Sequence, residues 1–96
     1  MIEIRQTDEY GAWFERLRDK MAQTRVLIRI RRVSLGNFGD VKPVGEGVSE
    51  LRIDYGAGYR VYFIRKGERL VVLLGGGDKR TQPRDIQKAI ALSKLV

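Results

Sequence analysis

The sequence predicts an α+β fold in which helices pack on one small sheet. Two stretches near the N-terminus repeat apolar residues at steps of three and four, as amphipathic helices do. Between residues 48 and 75 the chain instead has three strand-like runs separated by short glycine turns. A chain of 96 residues, 43% of them hydrophobic, has enough apolar side chains for one hydrophobic core, so we predict a single domain over residues 1–96.

The first predicted elements are a short strand and an amphipathic helix. Residues 2–6 alternate apolar and polar side chains, the period of a half-buried strand, and we expect them to pair with a later strand. Thr7 or Asp8 can cap the helix that follows. Its apolar stripe comprises Tyr10, Trp13, Phe14, Leu17 and Met21. We predict that these aromatic side chains belong to the core and do not bind a ligand.

A second helix is predicted directly after the first, so that the two form a hairpin. Its apolar line comprises Ala22, Val26, Ile30 and Val33. We expect this helix to end near Gly36, because glycine readily adopts the left-handed conformation that terminates helices. Arg25, Arg29 and Arg32 form a basic stripe beside the apolar line. This stripe could bind an RNA backbone or an acidic segment of a partner, although most charged helix faces are simply solvated.

The rest of the chain predicts an antiparallel meander and a last helix. The predicted strands span residues 41–45, 48–55, 59–66 and 69–75. The strand at residues 41–45 contains Pro43, which has no backbone N–H to donate to a neighbouring strand, so it suits the edge of the sheet. The last is apolar throughout residues 70–74, as in a central strand buried on both faces. Thr81 or Gln82 can cap the final helix, with Pro83 in its first turn.

The predicted strand register places cations on one face of the sheet. If Tyr55 faces Tyr59 across the glycine turn, two further pairs follow, Asp54 with Arg60 and Arg52 with Tyr62. Guanidinium groups bind phosphate bidentately and offset charge that develops on it, so this face suits RNA phosphate chemistry. Further cations join it if the strand ends converge, namely Lys42, Lys79 and Arg80. The alternative is a solvated face with an ordinary Asp54–Arg60 ion pair.

Composition narrows the classes of function. The 19 Lys and Arg residues outnumber 12 Asp and Glu, and the net charge of +7 favours a polyanion or an acidic protein as partner. The chain has no histidine, which excludes most hydrolase designs, and no cysteine, which excludes disulfides and cysteine-based zinc sites. No apolar run resembles a signal peptide or a membrane span, so we expect a cytoplasmic protein.

Nucleotide, metal and cofactor sites are also not predicted. The stretch "GGGDKR", residues 75–80, lacks the GK[ST] ending of a phosphate-binding P-loop. The serines of the chain have no histidine to activate them as nucleophiles, and no carboxylates have the spacing of metal ligands. We therefore expect neither a metal ion nor a cofactor.

Two longer stretches resemble a known family. "LGNFGDVKPVGEGVSELRIDYGAGYRVYF" followed by "VVLLGGGDKRTQPRDI" is similar to the RelE/ParE superfamily of toxins, in its HigB-like addiction-module killer branch. The resemblance implies a RelE-like fold in the order β-α-α-β-β-β(-β)-α, with the helical hairpin and a C-terminal helix on a small twisted, mainly antiparallel sheet. It also implies a type II toxin that enters the ribosomal A site and cleaves messenger RNA without a metal ion. In such cleavage the ribose 2′-OH attacks the adjacent phosphate and leaves a 2′,3′-cyclic phosphate.

The resemblance also implies roles for individual residues. Arg60 would stabilise the phosphate charge, Arg52 would hold the scissile phosphate, and Lys79 would transfer a proton or stabilise charge. Asp78 would orient Lys79 or Arg60. The residues expected to bind RNA are Lys42, Tyr62 and Arg80, together with Arg25, Arg29 and Arg32.

Partners and alternatives follow from the same resemblance. The implied partners are a cognate helix-turn-helix antitoxin of the HigA type, the ribosome and messenger RNA, with a monomer as the active form. Two other functions stay open at the level of sequence. One is a ParE-like protein that inhibits DNA gyrase by binding, and the other is an inactive relative that acts only as an antitoxin-bound component.

Overall fold

Three α-helices pack on a five-stranded mixed sheet in the computed structural model, which describes residues 1–96. The elements are β1 (Glu3–Gln6), α1 (Asp8–Arg16), α2 (Lys20–Ser34), β2 (Val41–Gly45), β3 (Val48–Ile53), β4 (Tyr59–Lys66), β5 (Leu70–Gly77), a 3₁₀ turn (Lys79–Thr81) and α3 (Gln82–Ser93). The strand order is β1-β5-β4-β3-β2, with β1 parallel to β5 and the other neighbours antiparallel. The predicted α+β fold is confirmed.

The first helix ends earlier than its apolar stripe predicted. Thr7 caps α1 as expected, but the helix stops at Arg16. Asp19 then begins α2, because its carboxylate accepts a hydrogen bond from the backbone N–H of Met21 at 2.9 Å. Met21 was predicted in the stripe of the first helix, yet it lies in the first turn of α2 and is 51% exposed. The new cap resets the helical phase, so Met21 no longer points along the stripe of α1.

The sheet is buried on both faces, by different helices. The core on the side of α1 and α2 comprises Tyr10, Val26, Val33, Leu51, Ile53, Val61, Phe63, Val71 and Leu73. The core on the side of α3 comprises Val48, Tyr62, Val72, Leu74, Ala89 and Ile90. β5 therefore contributes to both cores, as its unbroken apolar run predicted.

Tyr62 differs from its prediction. It lies on the expected sheet face, but that face is covered at this point by α3, and Tyr62 is fully buried. The predicted contact between Tyr62 and RNA is therefore wrong, because the ring has no solvent-exposed surface.

The register between β3 and β4 is two residues away from the predicted one. Arg52 pairs with Arg60, where the sequence suggested Tyr62, and Asp54 has no partner on β4. β3 ends before Asp54, so the connection is longer than the three-residue glycine turn that we predicted. The Asp54–Arg60 ion pair is thus absent. Because side chains alternate with a period of two, this shift leaves Arg52 and Arg60 on one face and makes them direct neighbours.

The glycines at the end of β5 make room for side chains from two helices. A Cβ at Gly76 would overlap the indole ring of Trp13 in α1. A Cβ at Gly77 would overlap the carboxylate of Asp85, which accepts a hydrogen bond from the Thr81 hydroxyl. By contrast, Gly75 has open space where its side chain would lie. The glycine run thus permits close packing of α1 and α3 against the strand.

Replacing Gly76 by alanine is expected to lower the free energy of unfolding by about 1–3 kcal/mol, because the added methyl group must displace a rigid aromatic ring. Urea denaturation measures the change. Gly75→Ala is the matched control and should change stability by less than about 0.5 kcal/mol. Equal effects of the two substitutions would show that the contact with Trp13 does not restrict position 76.

Candidate functional site

Polar side chains form two rows across the sheet face on the side of α3. The first row runs across three positions, Asp40, Arg52 and Arg60, and reaches β5 at Gly77. The second row runs across Lys42, Glu50 and Tyr62, and reaches β5 at Gly75. β5 supplies only glycine to both rows, and at Gly77 the side chains of Thr81 and Asp85 lie where a Cβ would be.

A cleft of about 220 Å³ opens over the first row. Arg52 from β3, Arg60 from β4 and Lys79 from the 3₁₀ turn line it, and Asp40, Ile53, Asp54 and Gly58 complete its wall. Three of the four residues predicted to be catalytic are therefore brought together, although they come from separate segments of the chain.

Lys79 is held over the β3–β4 turn. Its backbone N–H donates to the carbonyl of Ala57 at 3.4 Å. Its side chain lies against Gly58, where an added Cβ would come within 2.8 Å of the Lys79 Cγ. Lys79 forms no ion pair with a carboxylate. The glycine turn thus directs an unneutralised ammonium group towards the two arginines.

Arg52 is paired with a carboxylate at the edge of the cleft. Its Nη2 and Nε atoms donate to Asp40 Oδ1 at 2.8 and 3.1 Å. These hydrogen bonds lower the pKa of the Asp40 carboxyl, which is therefore ionised at neutral pH. Asp40 orients the Arg52 guanidinium and offsets part of its charge.

Arg60 lies beside Glu50, a carboxylate that is fully buried. The Arg60 Nε and Glu50 Oε1 atoms are 3.9 Å apart, and only 8% of Arg60 is exposed. Gln82, at the start of α3, donates from Nε2 to both oxygens of Glu50, at 2.9 and 3.1 Å. Glu50 thus joins β3, β4 and α3 below the cleft.

Two buried polar atoms near Glu50 have no hydrogen-bond partner in the chain. They are the Nε of Arg60 and the hydroxyl of Tyr62. Burial raises the pKa of the Tyr62 hydroxyl, so that it remains protonated at neutral pH. Arg60 is therefore held mainly by the charge of Glu50 and by packing. The N–H at its Nε donates no hydrogen bond within the chain.

Sequence reasoning did not single out Glu50 or pair it with Gln82. The available signal was that Glu50 is the sole acidic residue within residues 48–53, on the same face as Arg52. An acidic residue on a strand is normally solvated, so only the position of α3 shows that this one is buried.

Asp78 does not orient Lys79 or Arg60, contrary to the prediction. It caps the 3₁₀ turn, where its carboxylate accepts from the Arg80 N–H at 2.9 Å and from the Arg80 Nη2 at 3.3 Å. Partial burial opposes ionisation, but the bonds from Arg80 hold the pKa of Asp78 below its usual value. Asp78 lines a separate polar cavity of about 420 Å³ between α1 and α3. Its position as a cap turns it away from the cleft.

The remaining predicted RNA-binding residues lie around the cleft and do not line it. Lys42 is exposed on the edge strand in the second row, and the Arg80 side chain is 83% exposed. Arg25 lies over the ring of Tyr55 at 4.7 Å, and Arg32 is exposed.

Arg29 interrupts the predicted basic stripe. Its guanidinium donates to the backbone carbonyls of Arg52, Phe38 and Asp40, at 2.5, 3.2 and 3.2 Å. Arg29 therefore fixes the end of β3 and the loop before β2. The stripe of three arginines is not continuous at the surface, because the guanidinium of its central member is directed to these backbone carbonyls.

Comparison with known proteins gives two matches that cover the cleft and the fold around it. The family model described as "Phage derived protein Gp49-like (DUF891)" matches residues 12–94. An uncharacterized protein of Haemophilus influenzae (strain ATCC 51907 / DSM 11121 / KW20 / Rd) is 45% identical over 93 residues, which cover 97% of this chain and 94% of the relative. None of the three helices has the length and apolar composition needed to cross a bilayer.

Proposed function

Because the chain belongs to the Gp49-like family of phage-derived proteins, a family related to toxin–antitoxin systems, we propose that it is the toxin of a type II pair and cleaves messenger RNA on the ribosome. The family suggests the toxin of a toxin–antitoxin pair. The HigB-like branch and the ribonuclease activity are the proposal. The observation that supports it is the cleft in which Arg52, Arg60 and Lys79 converge.

The proposed reaction needs no group beyond the RNA and these side chains. The ribose 2′-oxygen attacks the adjacent phosphorus while the bond from phosphorus to the 5′-oxygen breaks. The 2′-hydroxyl loses a proton and the leaving 5′-oxygen gains one, so the products are a 2′,3′-cyclic phosphate and a 5′-hydroxyl. Negative charge on the phosphate oxygens increases in the transition state, and fixed cations near these oxygens lower the barrier.

Each cation is suited to a different part of this reaction. Arg60 lies deepest and is positioned by Glu50, so it would contact the phosphate oxygens whose charge increases. Arg52 lies at the rim with Asp40 and would hold the scissile phosphate in place. Lys79 is exposed and unpaired, and would transfer a proton or stabilise charge.

Mapping of messenger RNA 5′ ends after induced expression tests the proposal. We expect new ends within translated codons, and none in a transcript that lacks a start codon. Purified protein should leave DNA supercoiling by gyrase unaffected. Inhibited supercoiling with intact messenger RNA would instead identify a gyrase inhibitor, and no effect in either assay would identify an inactive relative.

Replacing Lys79 by methionine is expected to lower cleavage by about 100-fold, which is the low end of the effect of losing a proton-transfer group. Methionine keeps an unbranched side chain against Gly58, so folding should be unchanged. Lys66→Met, at the exposed end of β4, is the matched control and should retain full cleavage. Primer-extension yields compare the variants. Equal cleavage by both would remove Lys79 from the mechanism.

A further inference from the structure

One face of α2 exposes large apolar side chains over about half of their surface. The exposed fractions are 51% for Met21, 46% for Ile28 and 61% for Leu35, the residue that caps the helix C-terminus. Leu27 is 54% exposed but lies on a neighbouring face, since successive helical residues are about 100° apart. Met21, Ile28 and Leu35 are seven residues apart, so they recur every two helical turns and form one line about 21 Å long. Scattered apolar residues on a surface are common, but an aligned set along one helix indicates a contact surface.

The same helix carries unpaired positive charge. α2 contains no acidic residue and five cations, Lys20, Arg25, Arg29, Arg31 and Arg32. None of the five forms an ion pair with a carboxylate of the chain. Arg29 donates to backbone carbonyls, so the cations available to a partner are the other four. Cations three or four residues apart on a helix repel each other, so the arrangement costs helix stability in the isolated protein. An acidic partner would remove that repulsion.

A groove of about 460 Å³ lies between this face and the end of β3. Its lining comprises Met21, Thr24, Arg25, Ile28, Arg29, Arg32, Ile53 and Asp54. Apolar and cationic side chains therefore alternate along one wall. Ile53 and Asp54 also line the cleft that contains Arg52 and Arg60, so the groove and the cleft adjoin.

We propose that this groove binds an acidic amphipathic segment of a partner polypeptide. Its apolar residues would contact Met21 and Ile28, and its carboxylates would meet Arg25 and Arg32. The assignment of that partner as the antitoxin rests on the proposed function. The docking surface itself rests on the exposed apolar line and the unpaired cations.

Two other occupants fit the groove less well. An RNA strand would use the arginines but would leave Met21, Ile28 and Leu35 without apolar contacts. A second copy of this chain in a two-fold arrangement would set the arginines of one α2 against those of the other, with no acidic residue on either helix. A partner segment with alternating apolar and acidic residues matches both properties of the groove.

Occupancy of the groove would affect the adjoining cleft. A partner segment that reaches Ile53 would lie beside the entrance to Arg52 and Arg60, where its negative charge would repel an RNA phosphate. The partner would thus reduce RNA access without filling the cleft. The reduced access of RNA depends on the proposed function, whereas binding of an acidic segment in the groove does not.

A peptide titration followed by NMR tests the docking surface without any assay of cleavage. The probe is a synthetic helical peptide of about 15 residues, long enough to match the apolar line, with leucines on one face and glutamates elsewhere. At about 150 mM salt, where charges more than about 8 Å apart are largely screened, we expect saturable shifts in the amide signals of α2, Ile53 and Asp54. Replacing the peptide leucines by serine, with all glutamates kept, should weaken binding by more than about 10-fold.

Ile28→Ser should weaken binding of the leucine peptide by about 10-fold, because an apolar contact at the centre of the groove is lost. Leu95→Ser is the matched control, since Leu95 is 81% exposed near the C-terminus and outside the groove, and it should leave binding unchanged. The proposal is overturned if the peptide does not bind, if the serine peptide binds equally well, or if the shifts lie only around Arg52 and Arg60. It is also overturned if single-stranded RNA produces the same shifts along α2 with equal sensitivity to Ile28→Ser.

Discussion

Replacing Arg60 by alanine is expected to lower messenger RNA cleavage by about 10²- to 10³-fold, the effect of removing one fixed group that stabilises transition-state charge. Arg60 lies at the floor of the cleft, beside Arg52, with Glu50 behind it. It is the least exposed of the three cations, so its charge is the least screened by water. Single-turnover cleavage of a ribosome-bound messenger RNA measures the change.

Arg60→Ala also leaves the buried carboxylate of Glu50 without its cation, so a loss of activity could reflect a loss of folded protein. Arg60→Lys separates the two effects. Lysine keeps a positive charge near Glu50 but cannot hold phosphate with two parallel donors. We expect this variant to fold with a circular dichroism spectrum like that of the wild type and to lose most of its cleavage. Full activity of folded Arg60→Lys would show that the guanidinium is not required.

Replacing Glu50 by alanine is expected to lower the free energy of unfolding by about 3–5 kcal/mol, as found when one partner of a buried ion pair is removed. The substitution leaves the guanidinium of Arg60 in a buried position with no carboxylate. It also leaves the side chain of Gln82 without the two oxygens that accept its hydrogen bonds. A domain of this size has a total stability of about 5–15 kcal/mol, so much of the protein would unfold under mild denaturation.

Two comparisons make the Glu50 experiment specific. Glu3→Ala removes an exposed ion pair with Arg5 and should cost less than about 1 kcal/mol. The double variant Glu50→Leu with Arg60→Met buries no charge and should recover part of the lost stability, although it should not cleave RNA. Urea denaturation provides all three values. Equal stabilities of Glu50→Ala and Glu3→Ala would mean that Glu50 does not hold the sheet and α3 together.

The two experiments bear on different properties of the same network. Arg60 variants test chemistry in the cleft, whereas Glu50 variants test the support beneath it. Glu50→Ala should reduce cleavage as well, since an unrestrained Arg60 is not held for a phosphate. Its effect on unfolding is nevertheless expected whatever reaction the protein catalyses, because the buried contacts exist in the free chain.

Local patterns in the sequence were sufficient to predict most elements. The cap at Thr7, the end of α2 and the apolar run of β5 follow from neighbouring residues, and the structure has each of them. The prediction that Arg52 and Arg60 share one face of the sheet was also correct, although the predicted register was wrong. A shift of two residues preserves which side of the strand a residue occupies, so Arg52 and Arg60 remained together.

Other features depend on segments that are distant in the chain. Asp78 was predicted to orient Lys79 or Arg60, yet its carboxylate caps the 3₁₀ turn, while the Lys79 side chain lies over Gly58. Arg29 was predicted in a surface stripe, yet it meets carbonyls from the loop before β2 and from the end of β3. In each case the side chain has two chemically reasonable partners, and the path of another segment determines which partner is near.

The sequence by itself determined an α+β domain with a cationic sheet face, because the periods of helices and strands and the alternation of side chains are local properties. Only the tertiary structure decided which polar residues of that face are buried. Tyr62 and Glu50 look like surface residues of a strand, but α3 covers them and brings Gln82 to the Glu50 carboxylate. Burial depends on the packing of elements far apart in the chain, and no local pattern around Glu50 predicts the position of α3.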